Sequence, residues 1–322
     1  MSAIVVNALR KRFGAVQAVS DVSFSVGTGD FFGLLGPNGA GKTTTISMLI
    51  GLARPDGGTI SIGGVDCSKN PRAAQHLIGV VPDESNLYPE MTGLDNIAFC
   101  GALYGLPKAE RLVRAKRLLD EFGLSEAGDR LFGGYSKGMK RRLTIAAGII
   151  HEPPILFLDE PTTGIDVASA RAIRQRLAAL HASGTTILLT THYIEEAERL
   201  CTRVAFIVKG RILRVDSVSD LLEPVRGVRA AVLTVSGSGD VCEQLSGTFP
   251  ALRFDSAGQG RVRAEGTEPF RVGPIVRFLE ERGVEVEEAR KVRPSLEDIF
   301  VRITGLEAES MKKEKEKGGG NG

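Results

Sequence analysis

The run Gly36, Pro37, Asn38, Gly39, Ala40, Gly41, Lys42, Thr43 does most to limit what this chain can fold into. It fits the pattern G-x-x-x-x-G-K-[ST], follows the apolar stretch Phe31 to Leu35, and precedes Thr44 to Leu52, which reads as a helix. In a strand, loop and helix of that order the loop's N–H groups turn inward around an oxyanion, and side chains with a Cβ would obstruct that turn. The helix directs its N-terminus at the same point. Lys42 then brings a cation to β and γ phosphates, and the Thr43 hydroxyl is placed to ligate Mg²⁺.

Leu77 to Val81, Ile155 to Leu158 and Thr186 to Leu189 are further short apolar runs suited to strands buried on both faces, so the sheet is predicted to be largely parallel. Between the first two lies a helical stretch, about 91–150, in which Leu112, Ala115, Leu118, Leu119 and Phe122 recur at helical spacing. The pattern changes after Asp216. Val228 to Val235 alternates as a strand, Val241 to Leu245 suggests a short helix, and two strand-like stretches flank Ser256 to Gly258. A helix with Ile275, Val276, Phe278 and Leu279, a strand from Val284 to Glu288, and a last helix striped by Leu296, Ile299, Phe300 and Ile303 complete a βαββαβ order plus one helix, which is ferredoxin-like by connectivity. From Glu307 the charged and glycine-rich sequence has no apolar face and is predicted to be disordered.

Composition narrows the function classes. Lys+Arg 41 against Asp+Glu 39 leaves a net charge of +2, so there is no bulk pull toward nucleic acid or anionic lipid, and nucleic acid is not expected as a partner. The absence of Trp and a total of 4 Tyr also argue against base-stacking platforms. The cysteines Cys67, Cys100, Cys201 and Cys242 show no metal-like spacing and read as reduced, buried thiols. No run approaches the roughly 18 apolar residues of a membrane span, which predicts a soluble chain.

Asp159 and Glu160 end the apolar run at Leu158, the strand end where open α/β sheets bind ligands. Neighbouring strand residues point to opposite sides, so the two acids can take different tasks. Asp159 suits a metal or its water shell, and Glu160 suits polarising an attacking water.

At this point the sequence resembles the nucleotide-binding subunit of an ABC transporter. Gly36 to Thr44, Ser136 to Lys140, Asp159 to Thr163, Asp166 and His192 follow that family's order and spacing over about residues 3–220. The resemblance implies an α/β P-loop NTPase nucleotide-binding domain over 1–222 with an inserted helical subdomain. A small ferredoxin-like α+β domain over 225–304 and a tail over 305–322 would follow. Its cofactors would be ATP and Mg²⁺.

Tyr135, Ser136, Lys137, Gly138 and Met139 resemble the family's LSGGQ signature, with lysine at a position more often glycine. Ser136 also reads as the N-cap of a helix striped by Leu143, Ala146, Ala147 and Ile150, so its hydroxyl and the helix terminus can face an anion. In the family that anion is the γ phosphate held by the other protomer, which implies a head-to-tail homodimer. Read alone, Ser136 is simply a cap and Lys137 to Arg142 a solvated basic face. His192 resembles the family's switch histidine on the γ phosphate. Asp166 resembles the loop crossing the dimer interface, and an N-cap before Val167 is compatible with that role. Phe13 stands where the family stacks an aromatic ring on adenine, although a lone Phe is more often core. Asp83 departs from the family's usual glutamine, a ligand of Mg²⁺ that links the site to the membrane subunit. A carboxylate is a good hard-metal ligand, yet shorter and charged, and Glu84 can supply extra reach.

The ending Arg293 to Phe300 and the single nucleotide-binding domain resemble the daunorubicin-resistance branch. That resemblance implies a cytoplasmic homodimer, peripheral on the membrane's inner face, powering separately encoded ABC-2-type permeases for drug, lipid or glycan export. Leu87, Tyr88, Met91 and Leu94 would form the permease groove or else the subdomain core. The rival from another class is a soluble ABC ATPase acting as a mechanical switch. A P-loop kinase or GTPase is disfavoured by the Ser136 motif and His192.

Overall fold

A computed structural model describes residues 1–306 apart from 68, 69, 71, 226, 237–240, 257, 259, 293 and 294. The tail expected from 307 therefore lies outside the described residues, as do Arg293 and Pro294. The chain divides into two compact units, Met1–Val218 with the chain from Phe300, and Ser219–Ile299.

The first unit is built on a six-stranded sheet in the order Arg211–Ser217, Arg203–Val208, Phe31–Leu35, Thr186–Thr191, Ile155–Asp159, Ile78–Val81. The edge pair is antiparallel and the remaining pairs are parallel. Every residue of Phe31–Leu35 and Ile155–Asp159 is buried, as continuous apolar runs require in a sheet covered on both faces. Because these strands run the same way, the residues following Leu35, Val81, Asp159 and Thr191 emerge along one edge. Strand Ile78–Val81 starts one residue later than expected, since Leu77 ends a short 3₁₀ turn.

A four-stranded antiparallel sheet, Val16–Gly27, Ser2–Phe13, Gly57–Ile62, Val65–Asp66, packs on the first and has no counterpart in the sequence analysis. Its alternation is broken at Ala8 and Asp21, both with positive φ, where register shifts interrupt the ladder. Phe24 stacks on Phe32 with centroids 5.3 Å apart, joining the sheets through a contact worth about 0.5–1.5 kcal/mol beyond burial.

The helical insertion contains Gly93–Leu103, Lys108–Glu121 and Lys137–Gly148. Thr92 caps the first by accepting from the Asp95 N–H. Ala115, Leu118 and Leu119 form the buried stripe of the second. In the Ser219–Ile299 unit, the strands Arg229–Ser236, Arg253–Ser256, Arg261–Gly266 and Glu285–Val292 are arranged second, third, first, fourth, all antiparallel. Leu245 of helix Val241–Thr248 and Ile275 and Leu279 of helix Gly273–Glu280 pack on Leu233, Phe254 and Val262 of that sheet. This is the ferredoxin-like arrangement expected from the element order.

Candidate active site

The phosphate loop leaves the central strand through close backbone approaches that leave no room for a Cβ. A Cβ on Gly36 would lie 2.1 Å from the Ile207 carbonyl oxygen, and one on Gly41 would lie 2.5 Å from that of Ala18. Gly41, at φ +100, is also the N-cap of the helix Lys42–Leu49, which begins two residues earlier than the periodicity suggests. Between them Ala40 N–H turns back to Pro37 O at 3.1 Å. The buried Lys42 ammonium donates to Gly36 O at 2.7 Å and Pro37 O at 3.1 Å and lies 3.4 Å from Glu160 Oε1.

Opposite the loop, Asp159 ends the parallel strand Ile155–Asp159, which is separated from the loop's strand by Thr186–Thr191. Its Oδ1 accepts from the Thr190 hydroxyl and, at 3.4 Å, from Thr43. Burial pushes the Asp159 carboxyl above the ordinary range; the two hydroxyls pull it back, and the charges of Glu160 and Asp83 push it further up. A hydroxyl beside a carboxylate crowded by other carboxylates is an all-oxygen set that a hard divalent cation suits and would relieve.

Glu160 has φ +49, a left-handed conformation uncommon outside glycine and costing on the order of 1 kcal/mol or more. Its Oε2 accepts from His192 Nδ1 at 2.8 Å and from the Thr163 hydroxyl at 3.0 Å. Burial raises its pKa, but the His192 hydrogen bond, the Lys42 charge and Thr163 outweigh it and hold the carboxyl below the ordinary range. Glu160 is thus kept ionised while almost sealed from solvent. His192, immediately after strand Thr186–Thr191, lies against Tyr193 with centroids 4.0 Å apart.

Ser136, Lys137, Gly138 and Asp166 form a second group. The Ser136 hydroxyl accepts from Met139 N–H at 3.3 Å, and the Asp166 carboxylate caps the helix Val167–Ala182 through Ser169 N–H at 2.8 Å. The two helix starts meet closely, since a Cβ on Gly138 would lie 2.3 Å from Ser169 Oγ. Lys137 extends its ammonium over Gly164 and is exposed. Among the described residues no hydrogen bond or ion pair joins Ser136 or Lys137 to the chain's own phosphate loop.

Phe13 is 53% exposed, which removes the core reading, and Lys11 Nζ sits 5.2 Å from its ring centre. It pairs with Val16 at the hairpin that leads to Ala18, the residue against Gly41. Asp83 follows strand Ile78–Val81, and its carboxylate is close enough to act electrostatically on Asp159 and Arg141.

Arg141 and Thr190 belong to the site and were not singled out in the sequence. The basic run does not behave as one solvated face: Lys140 sits over the Phe132 ring at 5.5 Å, Arg142 donates to Phe122 O at 2.8 Å, and Arg141 is buried. A charge inside a basic run gives no local sign of burial. Thr190 lies one residue beyond the apolar run Thr186 to Leu189, within the longer strand Thr186–Thr191.

Comparison with known proteins agrees with this geometry. Residues 19–163 match the ABC transporter family. Over 311 residues the chain is 38% identical to a daunorubicin resistance ATP-binding protein of Streptomyces coeruleorubidus, covering 96% of this chain and 97% of that protein. It is 40% identical over 312 residues to a Nod factor export ATP-binding protein of Ralstonia nicotianae, covering 94% of each. A solved ATP-binding subunit of an ABC transporter superposes with a TM-score of 0.64 at 33% identity, covering 69% of this chain and 93% of that one. Similarity along nearly the whole length, together with the phosphate loop and the carboxylates facing it, means that the chain belongs to the ABC transporter family, as one of its ATP-binding, ATP-hydrolysing proteins.

Proposed function

We propose that this ATPase powers an ABC-2-type exporter of drugs, lipids or glycans through separate membrane-spanning permease subunits, working as a homodimer on the inner face of the membrane. Relatives named for daunorubicin resistance and Nod factor export support the direction. The observation that carries the hydrolytic reading is Glu160, an ionised carboxylate held by Lys42, His192 and Thr163 beside the phosphate loop.

In this reading the loop from Gly36 to Thr44 cradles the phosphates, Lys42 turns its ammonium to them, and the exposed ring of Phe13 offers a face to adenine. Glu160 orients a water and takes its proton as the water oxygen bonds to the γ phosphorus and the bond to the bridging oxygen breaks. A carboxylate held below its ordinary pKa is a modest base, so its contribution is mainly orientation. His192 holds that carboxylate through Nδ1. Thr43 and Asp159 would hold Mg²⁺, with Asp83 nearby; when bound, the ion neutralises charge on the phosphate oxygens. Ser136, Lys137, Gly138 and Asp166, grouped apart from the chain's own loop, would face the nucleotide of the second protomer.

Glu160→Gln tests the reading. The variant should bind nucleotide yet hydrolyse it at least about a hundredfold more slowly, and should elute as a dimer with Mg-ATP in size-exclusion chromatography. Wild-type turnover in that variant would remove Glu160 from the chemistry.

A further inference from the structure

Arg141 lies one turn into the helix Lys137–Gly148 and is 6% exposed. Its guanidinium spends its donors on main-chain carbonyls. Nε donates to Pro161 O at 2.8 Å, Nη2 to Asp159 O at 2.7 Å, and Nη1 to Asp83 O at 3.0 Å and to Pro82 O. No carboxylate among the described residues forms an ion pair with it. Burial pulls its pKa down, while the charges of Asp83, Asp159, Glu196 and Glu160 push it back up, so the cation is stabilised at a distance by the acids it arranges.

The placement of those carbonyls is specific. Asp159 and Pro161 flank Glu160, whose own φ of +49 is a conformation a glutamate keeps only when its surroundings impose it. Pro82 and Asp83 belong to the loop after Ile78–Val81, and Arg141 itself rides on the helix capped by Ser136. One planar, forked group thereby ties together the backbone that aims Glu160, the loop that carries Asp83, and the start of the signature helix. Lysine, with a single nitrogen and no fork, cannot reach the same set of acceptors together.

We propose that Arg141 is a positioning residue for ATP hydrolysis: it fixes the backbone on either side of Glu160 in one frame with the Asp83 loop and the helix capped by Ser136. This rests on the assignment of Glu160 as the group that orients water. Movement of that helix or of the Asp83 loop then reaches Glu160 through its main chain, without contact with nucleotide.

The test is steady-state ATP hydrolysis and nucleotide binding by the purified full chain carrying Arg141→Lys or Arg141→Gln, with thermal melting as a check of folding. Both variants should lose about ten- to a hundredfold in kcat, the scale of a small misplacement of a reacting group, with KM and Kd for ATP within about twofold of wild type. Arg141→Lys should recover only part of the loss. Wild-type kcat in either folded variant overturns the proposal, as does a fall in affinity that matches the fall in rate. Failure of even Arg141→Lys to fold overturns it in favour of a purely structural role. Glu160→Gln, assayed alongside, separates the two assignments. If it turns over ATP normally, the Glu160 reading fails first; if it is inactive while Arg141→Lys is normal, only the Arg141 proposal is lost.

Discussion

Glu160 and Asp159 are adjacent, buried and acidic, yet their surroundings push them in opposite directions. Glu160 gains two hydrogen-bond donors and the Lys42 charge, whereas Asp159 gains two hydroxyls and the repulsion of its acidic neighbours. A folded pKa held below the unfolded value of 4.5 makes Glu160 a source of stability that is fully present above that value and lost as pH falls through the folded pKa. The difference in melting temperature between wild type and Glu160→Gln should therefore change in favour of the variant as pH falls below 4.5. A change in favour of wild type on acidification would mean that burial wins over the His192 and Lys42 contacts. Asp83 is the other residue whose charge matters here. Asp83→Gln should leave ATPase activity intact or raise it by easing the crowding of Asp159, and Asp83→Ala should shift the Mg²⁺ concentration giving half-maximal rate. Superimposable Mg²⁺ titrations for wild type and Asp83→Ala would place this side chain away from the metal.

The helix Lys137–Gly148 depends for its position on two glycines that let backbone approach backbone. A Cβ on Gly79, in strand Ile78–Val81, would lie 2.4 Å from Gly148 O and 2.7 Å from Pro153 Cγ, neither of which can swing aside. Gly79→Ala is expected to cost about 1–3 kcal/mol, measured as a lower denaturant midpoint at unchanged slope. Gly134→Ala, where a Cβ meets nothing within 4 Å, serves as the control and should stay within about 0.5 kcal/mol. An equal midpoint for both variants would show that the helix does not rely on this approach. Close packing of this kind is hard to read in a sequence because its cause is a partner far along the chain. Buried parallel strands were legible, since covering both faces leaves an uninterrupted apolar run. The phosphate loop was legible because its glycines, lysine and threonine act within a few residues of one another. The antiparallel sheet that begins at Ser2 was not, because positive φ at Ala8 and Asp21 shifts the alternation out of phase. Arg141 escaped for the same non-local reason, its acceptors lying 18 to 59 residues away.

At the scale of the molecule the question is what the hydrolytic apparatus moves. No helix among the described residues is long and apolar enough to cross a membrane, so force must pass to another chain if export is the outcome. The stretch after Asp83 offers a surface for that. Tyr88 is 44% exposed and Phe99 37%, and their rings meet edge to face at 5.4 Å, while Leu87, Met91 and Leu94 are half-buried beside them. The loop is not slack: buried Asn96 accepts from Tyr88 N–H at 2.9 Å and donates to Tyr88 O at 3.0 Å, which fixes the main chain at Tyr88. A rigid aromatic pair on an exposed face, its Tyr88 three residues beyond Ser85, whose hydroxyl accepts from Thr144 of the signature helix at 2.8 Å, is well placed to receive a partner's apolar segment. We therefore predict that the chain sediments with membranes only when its permease is co-expressed, and that Tyr88→Glu releases it from them. ATPase activity of the purified variant should remain within about twofold of wild type, because Tyr88 touches none of the groups around Glu160 or the phosphate loop. Retention of Tyr88→Glu on permease-containing membranes would move the docking surface elsewhere on the molecule. Copurification with ribosomes or DNA, with no response to any candidate permease, would replace the exporter by an ABC ATPase that acts as a switch without a membrane partner.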